Sequence, residues 1–375
     1  MAVPVMYVVR SCRGGMLQHL LHLLQYLDRS HFRPLVAGTP EEALVAALRD
    51  LDADFRPLPV GQGWHPIGRR RLQRELEGLL RAEGVRLVHT HGVLAGLVAR
   101  YPAYRAGVRV LVTCHNLIYT RPGWPWRKRL LARWQRRLVP YTDRFIAVCR
   151  ALAEELRRFE GVPPEKIAVI PNGVDLERLD AVLARGRSLP PPFDRGPVVG
   201  TFCRLIPEKG PDLFLKAAAV IARQVPESRF VIAGDGPWRP HLEALARGLG
   251  LGGRVGFLGW VEEAAGLLPR LAVYVQASRQ EGLSLAVLEA MAARRPVVAF
   301  RTGGLAEVIR PHRNGLLVPA QSWPELAQAV TALLRDRGLA DRLAAEGRRT
   351  VQERYSARET VERTQALYRD LLGRE

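Results

Sequence analysis

The sequence predicts an α/β protein built from two Rossmann-like domains that face one another across a cleft. Three observations lead there. The chain has 375 residues, more than the roughly 250–300 that a single core usually serves. Short apolar segments alternate with amphipathic helical stretches, the pattern of parallel sheets with right-handed crossovers. That pattern then begins again after a proline-rich stretch near the middle. A hydrophobic share of 47% with 25% charged residues excludes general disorder. No apolar run approaches the roughly 20 residues needed to cross a bilayer.

In the first half, Val3–Val9 reads as a buried strand, followed by a Gly14-Gly15 turn and a helix through Leu27. Further strands are expected at Leu35–Ala37, Leu87–His89, Val110–Thr113, Arg144–Val148 and Ile167–Ile170. The second half offers Val198–Arg204, Arg229–Ala233, Arg254–Phe257, Val273–Gln276, Pro296–Ala299 and Leu316–Val318, with helices between them. Arg185 to Phe193 contains Pro190-Pro191-Pro192, which cannot continue a helix and suits a linker. The expected domains are therefore 1–188 and 189–355, with a purely helical tail. Ligands of such sheets sit at the carboxyl ends of the strands, so the cleft is the default site.

Apolar Met1 to Val9 lacks a basic n-region and a small-residue cleavage site, and is not read as a signal peptide. Cys12, Cys114, Cys149 and Cys203 are far apart in the chain. Neither a zinc finger nor a disulfide framework is expected, and a cytosolic setting fits. The formal net charge is +19, and it is unevenly placed. Residues 101–150 hold eleven Lys+Arg against Asp143 alone, a local net of +10. Within that block, Trp126, Leu130, Leu131, Trp134 and Leu138 recur on one helical face. Arg127, Lys128, Arg129, Arg133, Arg136 and Arg137 surround them. Two readings stand: a helix drawn to anionic lipid with Trp at the interface, or an apolar face packed on its own domain. Nucleic acid is not an expected partner, because no binding module is recognisable.

The sharpest chemical constellation runs from Ser278 to Met291. Glu281 and Glu289 lie eight positions apart, roughly 80° around an ideal helix. Glu281 is therefore placed on a strand-to-helix loop and Glu289 in the second turn, where it can bond a ligand hydroxyl. Gly282, Leu283, Ser284 and Leu285 would aim backbone N–H groups at an anion. Arg204 at a strand end can fork onto phosphate oxygens, and Lys209 on the next turn can act as a point charge. A surface ion pair of Lys209 with Glu208 is the plainer alternative. Gly14-Gly15 lets the backbone approach a phosphate, although the third glycine of a dinucleotide fingerprint is missing. Asp50, Asp52 and Asp54 offer an Asp-x-Asp pattern, read as a solvated turn capping a Glu41–Asp50 helix. No catalytic metal and no cofactor are expected.

These motifs together resemble the nucleotide-sugar domain of family 4 retaining glycosyltransferases, which have the GT-B fold. The matching pieces are Arg204 through Lys209-Gly210, Ala233-Gly234-Asp235-Gly236-Pro237, Glu281 to Glu289, Gly303-Gly304 with Glu307, and Asn314 to Pro319. The first half resembles the acceptor domain through Gly14-Gly15, His89-Thr90-His91, Thr113-Cys114-His115 and Pro171 to Asp175. The resemblance implies a metal-independent hexosyltransferase. Arg204 and Lys209 would neutralise the departing diphosphate, with Gly14, Gly15, Gly234 and the Gly282–Leu285 turn also on the donor. Glu289 would hold the ribose, Glu281 the donor sugar hydroxyls, and His115 the transferred sugar. His91 and Asn172 are expected on the acceptor side. The helix at about 356–375 would pack back on the first domain. One departure is Ala292-Ala293-Arg294-Arg295-Pro296, with arginine where the family commonly has glycine before the proline.

Retention could proceed through a covalent carboxylate, with Glu281 the candidate. It could equally occur on one face, the departing phosphate oxygen taking the acceptor's proton. The cationic groups favour the second, since they stabilise charge that develops as the donor bond breaks. The expected function is transfer from a nucleoside-diphosphate sugar to a lipid-linked glycan, an envelope glycan or a small metabolite, in the cytoplasm or peripherally on the inner membrane face. A nucleotide-sugar epimerase of the same fold and a non-enzymatic anionic-surface binder are the alternatives.

Overall fold

The structure, a computed structural model, describes residues 2–10, 14–60, 66–119 and 125–373. The chain forms two compact units, Met1–Asn172 with Ala357–Glu375, and Gly173–Ser356. In the first unit, seven parallel strands, β1 (Val3–Val9), β2 (Phe32–Gly38), β3 (Asp54–Pro57), β4 (Leu87–His91), β5 (Arg109–Cys114), β6 (Arg144–Ala147) and β7 (Ile167–Val169), lie in the order β3-β2-β1-β4-β5-β6-β7. In the second unit, β8 (Val198–Phe202), β9 (Arg229–Ala233), β10 (Val255–Gly259), β11 (Val273–Gln276), β12 (Val297–Phe300) and β13 (Leu316–Val318) lie in the order β10-β9-β8-β11-β12-β13. Both are doubly wound. Their connections diverge between β1 and β4 and between β8 and β11, which opens space at the strands' carboxyl ends.

The central strands are nearly continuous runs of β-branched and aliphatic residues because helices cover both faces. Val5, Tyr7 and Val9 of β1 are fully buried, as are Val199 of β8 and Val273 and Val275 of β11. Strand β3 has no counterpart among the expected strands. It is a four-residue edge strand, Asp54-Phe55-Arg56-Pro57, whose charged and proline residues carry no apolar run. Asp54 therefore belongs to a strand, while Asp52 sits in the preceding turn with φ of 48°.

The units divide at 172/173, not at 188. The proline-rich segment is packed on the second unit instead of linking two bodies. Arg187 N donates to Gly266 O at 2.9 Å, Leu189 is buried, and the Phe193 ring lies against Gly256 of β10. The helix Ala357–Leu372 contributes Val361, Tyr368 and Leu371 to the first unit's core. Cys114, Cys149 and Cys203 are free thiols; Cys12 lies outside the described residues.

The helix Leu285–Ala292 ends in a turn in which Arg294 N donates to Met291 O and Arg295 N to Ala290 O. This closure places Arg294 at φ of 52°, the left-handed region that glycine adopts without a Cβ penalty. Arg294→Gly is expected to raise unfolding stability by about 1 kcal/mol in urea titration; equal or lower stability would show the arginine to be unstrained.

Candidate active site

In the second unit, the segment after β8 is held to those after β9 and β11 by backbone contacts that tolerate no side chain. Gly210 has φ of 64°, and a Cβ there would lie 1.9 Å from Ala277 O. Gly234, after β9, has φ of 131°, and its Cβ would lie 1.9 Å from Cys203 O. The short helical turn Pro207–Lys209 is thereby pressed against the loop that follows β11. Arg279 fastens the two: it donates to both oxygens of Asp212 at 2.8 and 2.6 Å and to Pro207 O at 2.7 Å. Burial opposes ionisation of Asp212, yet the Arg279 guanidinium holds its carboxyl below the usual range.

This clamp delivers Lys209 to Glu281. The Lys209 ammonium donates to Glu281 Oε1 at 2.7 Å and Oε2 at 2.8 Å, so the alternative pairing with Glu208 is not the one formed. Glu281 is only 6% exposed. Its Oε2 also accepts from Gln276 Nε2 at 3.1 Å and Ser278 Oγ at 3.0 Å. Gln276 is oriented by Tyr274, whose hydroxyl donates to Gln276 Oε1 at 2.9 Å. Burial in turn drives the Tyr274 phenol well above its ordinary pKa, which keeps it a donor. Sequence reasoning gave no role to Tyr274, Gln276 or Asp212, nor to Ser278 and Arg279, although these two open the Ser278–Met291 constellation. Their signal was weak: polar residues near the end of a buried strand, ahead of a known acid.

Arg204 is exposed just beyond β8. Gly282, Leu283, Ser284 and Leu285 form the turn into the helix, and all four are buried. Gly304 N donates to Gly282 O at 2.8 Å. Ser284 caps the helix, its Oγ accepting from Val287 N at 3.4 Å. Glu289 stands in the second turn, partly buried, and desolvation raises its carboxyl to about 7.

In the first unit, Gly14 with φ of 58° turns the chain from β1 into the helix Gly15–Gln25. Four histidines gather at the carboxyl ends of β1, β4 and β5. His89 is a structural residue: its two ring nitrogens lie 2.7 Å from Tyr368 Oη and 2.6 Å from Thr113 Oγ1. His91 and His115 stack, with His91 Nδ1 3.2 Å from His115 Nε2. His19 joins them edge-on, its ring 4.8 Å from that of His115, and Asn172 bonds its side chain. Only His19 was missed in the sequence, since it sits inside an apolar helical run. Burial, reinforced by neighbouring imidazoles, holds His19 and His91 well below the ordinary histidine pKa. Burial brings His115 to about 4, and burial with the charge of His115 brings His89 to about 3.

The helix Pro125–Leu138 divides its apolar residues in an unexpected way. Ala132 and Gln135 are buried and Leu131 and Leu138 half-buried, whereas Trp126, Leu130 and Trp134 are exposed. The single apolar face expected from periodicity is thus two stripes, only one turned inward. Among the cations, Lys128 donates to Tyr119 O and Arg136 to Phe159 O. Arg127, Arg129, Arg133 and Arg137 are exposed beside the tryptophans, Arg127 over Trp126 and Arg137 over Trp134.

Residues 13–178 match the family model described as Glycosyltransferase Family 4, and residues 196–336 that described as Glycosyl transferases group 1. The chain is 31% identical over 332 residues to an alpha-D-kanosaminyltransferase of Streptomyces kanamyceticus, covering 82% of this chain and 81% of the relative. It is 28% identical over 308 residues to the UDP-Gal:alpha-D-GlcNAc-diphosphoundecaprenol alpha-1,3-galactosyltransferase of Escherichia coli, covering 78% of each. Anabaena Alr3699/HepE, solved with UDP and glucose, superposes with a TM-score of 0.84 over 98% of this chain and 100% of that one, at 20% identity. The Streptomyces and Escherichia coli relatives are named as transferases, and the epimerase alternative finds no support in them.

A raised carboxyl pKa implies a stability penalty that develops as pH rises from the unfolded value near 4.5 to the folded value near 7. Glu289→Gln should therefore stabilise the fold more at pH 8 than at pH 5. Urea unfolding at both pH values checks this; parallel pH profiles would show that Glu289 ionises without cost.

Proposed function

Because the chain belongs to glycosyltransferase family 4, we propose that it moves a sugar from a nucleoside-diphosphate sugar to an acceptor hydroxyl with retained configuration and without a catalytic metal. The chain is a glycosyltransferase with the GT-B fold. The observation that carries the mechanistic reading is the state of Glu281. Oε2 of Glu281 accepts from Lys209, Gln276 and Ser278 and Oε1 accepts from Lys209, so donors engage both oxygens. A carboxylate so occupied is a poor nucleophile.

Glu281 instead holds Lys209, whose third N–H is left to meet phosphate, with Arg204 exposed nearby. Transfer then follows the same-face course. The bond from anomeric carbon to phosphate oxygen breaks, the acceptor oxygen bonds that carbon on the same face, and the acceptor proton passes to the departing phosphate. Arg204 and Lys209 stabilise charge that appears only as that bond breaks. Glu289 binds the ribose, and Gly14, Gly15, Gly234 and the Gly282–Leu285 turn give the donor close backbone contact. His115 contacts the transferred sugar, while His91 and Asn172 serve the acceptor side. The polyprenol-diphosphate acceptor named for the Escherichia coli relative favours a lipid-linked or envelope glycan here.

The first test is calorimetric titration with UDP, GDP and ADP. One nucleotide is expected to bind, with affinity lost and turnover crippled in a folded Arg204→Ala protein. Wild-type turnover in that variant would overturn the phosphate role.

Trp126, Leu130 and Trp134, flanked by exposed arginines, suit the interface of an anionic membrane. No helix among the described residues is long and apolar enough to cross one, so attachment would be peripheral. Binding to phosphatidylglycerol vesicles should fall as salt rises and be lost in Trp126→Ala/Trp134→Ala. Absence of binding at low salt would reject the membrane role.

A further inference from the structure

His19, His91 and His115 lie in the first unit on three separate elements: the helix Gly15–Gln25, the end of β4 and the residue after β5. We propose that these three imidazoles form a binding site for a divalent transition metal of the zinc class, with a fourth position open to water or a sugar hydroxyl. One ring nitrogen from each lies within 4.8 Å of those of the other two. Ligands of a tetrahedral zinc with Zn–N near 2.0–2.1 Å stand about 3.3 Å apart, and His91 Nδ1 and His115 Nε2 are already 3.2 Å apart. Rotation of the His19 ring would have to close the remaining distance.

Two further observations separate this cluster from an ordinary histidine network. His19 Nε2 and His91 Nε2 are buried and have no hydrogen-bond partner among the described residues, although His19 is 4% and His91 2% exposed. Unpartnered buried polar atoms are costly, and a metal ion held through His91 Nδ1 and His115 Nε2 supplies the partner that His19 Nε2 lacks. His89, beside them, has both nitrogens engaged by Tyr368 and Thr113 and is excluded as a ligand. The Asn172 contact with His19 is of the kind that orients a ligating ring.

The consequence for catalysis rests on the proposed role of His115. A metal there takes the ring nitrogen that would face the sugar, so the ion inhibits transfer. The protein would thus need no metal for turnover and be switched off by one.

Binding is tested on tag-free, chelator-stripped protein, with no nucleotide present, by calorimetry with Zn²⁺ and by the visible absorption of Co²⁺. One equivalent of each is expected, with tetrahedral Co²⁺ bands, and loss of both in His19→Gln and in His91→Gln. His31→Ala, which removes a distant exposed histidine, should bind as wild type. Unchanged thermal midpoints and nucleotide affinity in the two glutamine variants would show that fold and donor site persist. The proposal is overturned if wild type takes up no stoichiometric metal, or if the two glutamine variants bind as wild type. Stoichiometric binding without inhibition of transfer would leave the site standing and remove the role of His115.

Discussion

A carboxylate withdrawn from water must be met by donors or it protonates. Glu281 is met by an ammonium, an amide and a hydroxyl, and much of the second unit's geometry follows from that requirement. Gln276 can serve only because Tyr274 fixes its amide from beneath. Lys209 can serve only because its turn is drawn to the β11 loop by Arg279 and Asp212. Gly210 and Gly234 admit these approaches by having no Cβ. The charge pair, the clamp and the glycines form one device that fixes the Lys209 ammonium beside the β11 loop.

The fold was legible because a parallel sheet covered on both faces needs long apolar strands, and such runs are conspicuous in a sequence. Strand β3 escaped notice for the converse reason: an edge strand of four residues with Asp, Arg and Pro carries no apolar signature. The proline stretch misled because proline reports the end of a helix and says nothing about what the next residues pack against. Around the candidate site, the placement of Glu281 on the loop and of Glu289 in the second turn of the helix was legible from their spacing. That Lys209 pairs with Glu281, 72 positions away, was not, since spacing in the chain carries no information about contacts across a sheet.

The histidines make a related point. Composition alone does not separate His89 from His91, two residues apart on one strand, yet the structure gives them opposite characters. Tyr368 and Thr113 consume the hydrogen-bonding capacity of His89, whereas His91 Nε2 has no partner among the described residues. The Trp126 helix teaches the same lesson in apolar terms. Its periodicity identified a helix correctly, but Leu131 and Leu138 went one way and Trp126, Leu130 and Trp134 another.

The return of the helix Ala357–Leu372 to the first unit has a consequence for biogenesis. In the order of synthesis the second unit is an insertion: its 173–356 stretch is contiguous, while the first unit is split around it. The inserted body has all its parts once residue 356 has left the ribosome. The outer body must hold its seven-stranded sheet until the helix Ala357–Leu372 is made, because Val361, Tyr368 and Leu371 belong to its core. The tyrosine that fixes His89 is therefore made after the whole of the second unit, so the first unit's histidine cluster gains this support only once that insertion has been passed.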